Sequence, residues 1–191
     1  MATPYRRRVA DADLKARLAA VGAVVIEGVK GCGKTETARR LCVSEVLLDV
    51  DQQARRAAEL DPFLVLDGPT PRLVDEWQRQ PTVWDAVRRE VDSRGAPGQF
   101  VLTGSATPRD DVIRHSGAGR IGVQRMRTMT LSEQEAHQAT TSVAELLTSG
   151  TAAGGRCGLS LAAYAERLVI GGWPQNLGSR RQSRANSSRA T

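Results

Sequence analysis

The chain has 191 residues, 27 Lys and Arg against 21 Asp and Glu, and a formal net charge of +6. That length holds one domain with a core of ordinary size and at most a stub of a second, and the longest apolar run, around Val21–Ile26, is far short of the roughly 18–20 residues a membrane span needs. No apolar stretch follows the basic N-terminus as a secretory signal requires, and the scattered Cys32, Cys42 and Cys157 outline neither a disulfide framework nor a zinc site, so a cytoplasmic protein without a membrane role is expected.

In chain order, Asp11–Ala20 reads as a helix with Leu14 and Leu18 on one face. Ala23-Val-Val-Ile-Glu27, a continuous apolar run between glycines, has the composition of a strand buried on both faces of a parallel sheet. A glycine-rich turn leads to a helix over Thr35–Cys42, a second strand over Glu45–Asp49 and a helix over Gln52–Leu60. Arg72–Asp75 is a short strand, Val83–Val91 an amphipathic helix, and Gln99–Thr103 a further strand before a polar segment. Beyond about Thr130 the pattern is helical and looser, over Leu131–Gln138, Val143–Leu147 and Leu159–Ile170, and the Arg/Ser-rich end from Ser179 carries no apolar period and is expected to be disordered. Alternating strands and helices predict an α/β fold with a parallel sheet.

The charge has an uneven distribution. Arg6, Arg7 and Arg8 at one end and Arg180, Arg181, Arg184 and Arg189 at the other leave −1 for residues 9–178. The basicity therefore reads as two solvated tips. No interleaved aromatics stand ready to stack bases, which argues against a nucleic-acid partner.

Gly28-Val-Lys-Gly-Cys-Gly-Lys34-Thr35 fits the phosphate-binding pattern G-x-x-x-x-G-K-[ST] in full, with an apolar strand before it and a helix after it. Gly28, Gly31 and Gly33 let successive backbone N–H groups wrap a phosphate. Lys34 then reaches the β- and γ-phosphates, and the Thr35 hydroxyl faces Mg2+. Val29, Lys30 and Cys32 complete the loop. Lys30 stands either against the γ-phosphate or in solvent, and Cys32 either brakes binding by oxidation or fills a tight turn as a small residue. A second acid is needed at the metal, and Asp75 at the carboxyl end of its strand supplies it, ahead of the weaker pair Asp49 and Asp51. Glu76 follows, suited to deprotonating an attacking water, which favours an ATPase. Thr103 or Ser105, at the end of the next strand, is a candidate hydroxyl for the γ-phosphate or the water. Arg120, behind flexible glycines, suits transferred phosphoryl charge, in cis or from a neighbouring subunit. His115 and His137 read as structural or solvated.

These motifs together resemble the AAA-type P-loop ATPases of bacteria and archaea in which the AAA domain precedes a C-terminal domain of unknown function. The resemblance rests on Val25–Thr35, Pro71-Arg-Leu-Val-Asp-Glu-Trp-Gln78, Phe100-Val-Leu-Thr-Gly-Ser-Ala-Thr107, Ser116-Gly-Ala-Gly-Arg120, Arg125-Met-Arg-Thr-Met-Thr-Leu-Ser-Glu133 and Gly171-Gly-Trp-Pro174. It implies an αβα sandwich of the AAA/ASCE type with a five-strand core. It also implies Walker B roles for Asp75 and Glu76, a sensor role for Ser105 or Thr103, and an arginine-finger or sensor role for Arg120. Val29 replaces the family's usual proline. Glu36 replaces a hydroxyl residue after Thr35; it either turns outward, favouring the helix N-terminus, or weakens nucleotide binding. The family continues well past Gly-Gly-Trp-Pro, so the short Arg/Ser ending reads as a truncated or frameshifted member, or as a naturally short form.

The expected organisation is a basic N-terminal segment and helix over 1–20, a P-loop nucleotide-binding domain over 21–130, a helical segment over 131–178 that begins a lost C-terminal region, and a tail over 179–191. The expected ligands are ATP and Mg2+, with ATP hydrolysis as the activity, and an unknown protein or a second copy of the chain as partner. A small P-loop kinase and a non-hydrolysing nucleotide-gated interaction module are the alternatives.

Overall fold

The computed structural model describes residues 5–104, 119–134, 142–151 and 158–177. The chain divides into two compact units, Val9–Arg127 and a second that joins residues 1–8 to 128–191.

The first unit contains α1 (Val9–Ala20), β1 (Ala23–Glu27), α2 (Lys34–Arg39), β2 (Ser44–Leu47), α3 (Gln52–Leu60), β3 (Arg72–Asp75), α4 (Thr82–Arg94), β4 (Phe100–Gly104) and β5 (Ile121–Arg125). The five strands are all parallel, in the order β2-β3-β4-β1-β5. This confirms the α/β class. Ala23, Val24, Val25 and Ile26 are all buried, as a strand covered on both faces requires. Ala23 and Val25 point into a core with Val46, Val74, Phe100 and Leu102 from the sheet and Val83, Val87 and Val91 from α4. Trp77 and Trp84 seal its end with ring centroids 5.0 Å apart. Leu14 and Leu18 of α1 are buried as their spacing predicts, each burial contributing about 2 kcal/mol.

Strand order is what positions the site. Because β4 lies between β1 and β3, the register aligns Glu27 with Gly104 and Thr103 with Asp75. The carboxyl ends of the three strands therefore form one continuous edge.

Three elements differ from their sequence pattern. The second strand ends at Leu47 instead of Asp49; Leu48 turns out of it, fully buried, with its N–H on the Asp75 carbonyl at 3.1 Å. The helix after the glycine-rich loop is shorter than expected, Lys34–Arg39. In β5 the short alternation of Ile121 and Val123 with Gly122 and Gln124 misleads about burial, since Val123 is exposed. Gln124 is nonetheless buried, and its Nε2 donates to the Ala10 carbonyl of α1 at 2.8 Å. A hydrogen-bonded amide thus holds a core position that sequence periodicity would award to an apolar residue.

In the second unit, α5 (Leu131–Gln134), α6 (Val143–Ser149) and α7 (Leu161–Ile170) occupy the helical stretch. The remainder of the helix expected to Gln138 lies outside the described residues, as does the tail. Arg8 departs from the solvated tip assigned to it: its buried guanidinium donates from Nε to Glu133 Oε1 at 3.1 Å. The Glu133 carboxylate also accepts from Thr130 N at 2.7 Å and Thr130 Oγ1 at 3.0 Å. A buried acid with no cation would be strongly destabilising, so this arginine is part of the packing. Met129 N donates to the Gly172 carbonyl at 2.7 Å, and a Cβ at residue 172 would lie 2.1 Å from the Met129 carbonyl oxygen. The second glycine of Gly-Gly-Trp-Pro is required by that approach.

Candidate functional site

At the end of β1 the chain enters the loop of residues 28–33, where Gly31 and Gly33 take φ of 78° and 104°. These left-handed conformations turn consecutive amides into a concavity suited to an anion. Gly28 is needed for a different reason. A Cβ there would lie 2.2 Å from the Met126 carbonyl oxygen and 3.2 Å from Cys32 Sγ. Cys32 is fully buried, and its thiol donates to the same carbonyl at 3.8 Å. The residue after β5 therefore braces the loop from behind. Cys32 fills the turn, out of reach of a solvent oxidant. Gly28→Ala is expected to push the loop off this brace and destabilise the fold by about 2 kcal/mol, read as a lower urea midpoint together with weaker nucleotide binding.

Val29 and Lys30 are exposed at the crest. Lys34 is buried, and its Nζ donates to the carbonyls of Gly28 at 2.8 Å and Val29 at 3.1 Å. Its ammonium is thus held inside the loop. Glu36 turns outward along α2 to Arg39 at 2.6 Å, and Arg39 also pairs with Glu45 at 2.7 Å. The structure thus places this acid on the helix surface, away from the loop interior.

Thr35 Oγ1 donates to Asp75 Oδ1 at 2.9 Å, across 40 residues of sequence. The same Oδ1 accepts from the buried Thr103 hydroxyl of β4. Burial pushes the Asp75 carboxyl above its ordinary value, more than the Thr103 and Thr35 hydroxyls pull it down; the charges of Glu76 and Asp49 add to the rise. A buried carboxylate with that bias is relieved by a cation. Thr35 and Asp75 offer hard oxygen donors at a separation that suits Mg2+. Octahedral coordination at about 2.0–2.1 Å sets adjacent ligand oxygens about 2.9 Å apart.

Glu76 follows Asp75 with φ 53° and ψ 42°, the sole positive-φ residue other than glycine among those described. Holding a side-chain-bearing residue there costs on the order of 1–3 kcal/mol, a strain that clusters at functional sites. The turn swings Glu76 out of the strand direction, and Gln78 Nε2 donates to its Oε2. Neither the Gln78 contact nor the Met126 brace was identified from sequence. A polar side chain two residues after the acid is the available signal for the first; the second has none, since it depends on how β5 pairs.

Lys34, Thr35, Asp75, Glu76 and Thr103 thus converge on one sheet edge. Ser105 lies outside the described residues. Arg120 does not join the group. It precedes β5, its carbonyl accepts from Ala23 N at 3.1 Å, and its guanidinium pairs with Asp92 at 2.5 Å. Those contacts put it at the amino edge of the sheet, a strand length of about 16 Å from the loop. Among the described residues no helix is long and apolar enough to cross a membrane.

A sequence profile described as an AAA domain matches residues 21–135. Uncharacterized proteins of Mycobacterium bovis and of Mycobacterium tuberculosis are each 30% identical over 133 residues, 66% of this chain and 30% of the relative. The matched segment therefore spans less than a third of the length of these relatives. Among solved structures, that of C. elegans PCH-2 is similar over 89% of this chain and 50% of its own, with a TM-score of 0.34 and 13% identity.

Proposed function

The chain belongs to the AAA-domain family, whose members bind nucleotides, and from that premise we propose that it binds ATP with Mg2+ and hydrolyses the bond between the β- and γ-phosphates. The observation that carries this reading is the contact of Thr35 Oγ1 with Asp75 Oδ1 at 2.9 Å beside the loop lysine. Two motifs far apart in sequence meet where a nucleotide-bound metal would need both.

In this reading the loop amides and Lys34 Nζ bind the phosphates, the ammonium giving up its carbonyl acceptors for charge-assisted bonds to phosphate oxygen. Lys30 is exposed beside them as a second cation for the γ-phosphate. Thr35 and Asp75 hold Mg2+, which when bound offsets charge on the β- and γ-phosphates. Glu76 accepts a proton from a water whose oxygen attacks the γ-phosphorus in line. The bond from that phosphorus to the β-phosphate oxygen breaks, and its electron pair leaves on ADP. Thr103 keeps Asp75 in place, and Ser105 is the further candidate to contact the γ-phosphate. Arg120 serves its own chain through Asp92; a finger role requires that a second copy bring its amino edge to this loop, which sedimentation with and without ATP and Mg2+ would detect.

The test is a pair of measurements on wild type and Glu76→Gln: equilibrium binding of ATP with and without Mg2+, and release of inorganic phosphate. Binding that depends on Mg2+ and survives in the variant, with release lower by about a hundredfold, is the expected outcome. Wild type that binds ATP without releasing phosphate would leave the interaction-module reading. ADP formed only with an added acceptor would leave the kinase.

A further inference from the structure

The two acids of the candidate site are held by consecutive residues of one strand. Thr103 donates directly to Asp75. Gly104, the last residue of β4, acts on Glu76 through what it lacks. Gln78 Nε2 donates to Glu76 Oε2, and since a carboxylate only accepts, the amide nitrogen must face it and Oε1 must face away. That oxygen is buried, without a hydrogen-bond partner among the described residues. It lies 2.5 Å from the point where a Cβ on residue 104 would stand; Trp77 Nε1 is 3.2 Å and Gln78 Cδ 3.3 Å from the same point. Any side chain at 104 would occupy the seat of the Gln78 carboxamide. Gly104 has no left-handed φ, so its want of a side chain is explained by this approach and not by its backbone.

We propose that Gln78, seated in the space left open at Gly104, is the positioning residue that aims the Glu76 carboxylate at the attacking water. The inference rests on the hydrolysis reading above. A general base must present one oxygen to the water in a narrow range of angles, and a carboxylate on a two-carbon stem rotates through many. One donated hydrogen bond to Oε2 restrains that rotation and fixes the plane in which the carboxylate meets the water. The contact also suits the left-handed turn at Glu76, which brings the residue two positions on back alongside its side chain.

The test uses the full chain and steady-state phosphate release, with ATP affinity and thermal unfolding measured beside it. Gln78→Met keeps the length and bulk of the side chain and removes its donor. It is expected to lower kcat about tenfold and leave ATP affinity within about twofold of wild type. Gly104→Ala displaces the carboxamide by contact alone and is expected to lower kcat by a similar factor. Because both changes break the same contact, the double variant should turn over no more slowly than Gln78→Met by itself.

Wild-type kcat in Gln78→Met, or losses that multiply in the double variant, would overturn the inference. Its failure separates cleanly from failure of the parent reading. Turnover present in wild type, lost in Glu76→Gln and kept in Gln78→Met removes the role of Gln78 alone; a wild type that releases no phosphate removes both.

Discussion

Lys34→Ala is expected to lower kcat/KM for ATP by about a thousandfold while the chain remains folded. The wild-type ammonium is buried in the loop and, among the described residues, donates to the carbonyls of Gly28 and Val29, at 2.8 and 3.1 Å. Among the described residues no carboxylate pairs with it, so an arriving phosphate meets its charge at a buried side chain, where screening is weak. Charge-assisted bonds to two phosphate groups, with the attraction that accompanies them, amount to about 4 kcal/mol, which is a factor of about a thousand. Lys34→Arg should fail nearly as badly, because a planar guanidinium does not fit a seat shaped by two backbone carbonyls. Titration with a fluorescent ATP analogue and a phosphate-release assay read both variants, and circular dichroism checks the fold. Binding of ATP to Lys34→Ala at wild-type strength would overturn the assignment of the phosphates to this loop and its lysine.

Asp75→Asn should move activity and stability in opposite directions. The Asp75 carboxyl is buried and raised above its ordinary value. Its ionised form is therefore a cost of folding. Asparagine keeps an oxygen to accept from Thr35 and Thr103 but carries no charge, so the variant is expected to be more stable by about 1 kcal/mol, or about 2–4 °C in Tm.

The same shift sets a pH dependence. The folded pKa lies above the unfolded value of about 4, so the folded chain binds this proton more tightly. The contribution of the group is most favourable below the unfolded value and is lost as pH rises through the folded one. Subtracting the Tm profile of Asp75→Asn from that of wild type isolates this slope.

Phosphate release should meanwhile fall by about a thousandfold, since the variant lacks the anionic ligand for Mg2+. A variant that is both less stable without nucleotide and fully active would refute the assignment of Asp75.

Much of this site was legible in the sequence. Gly28 to Thr35 could be identified because each requirement is local: backbone angles open to glycine, one lysine, one hydroxyl, a strand before and a helix after. Asp75 and Glu76 stand out in the same way, since Leu73 and Val74 between Pro71-Arg72 and two acids mark a short strand that ends at its carboxyl edge. The α/β class followed from alternation, a property of windows about ten residues long. Within such a window the chemistry of the side chains decides the outcome, because the interacting groups are neighbours by covalent connection.

The tertiary structure decided everything that depended on which strand lies beside which. It brought Thr35 to Asp75 and Thr103 to the other side of the same carboxylate. It placed Arg120 at the opposite edge of the sheet, where a glycine-flanked arginine had suggested a phosphate contact. It buried Arg8 against Glu133, seated Gln78 over Gly104, and made a core position of Gln124. Every one of these rests on strand order, register or packing between segments distant in the chain. Parallel strands are paired through long crossovers, and their hydrogen bonds are made by backbone groups that every residue carries alike. Side-chain periodicity therefore announces that a strand exists, and only the assembled sheet determines its neighbours.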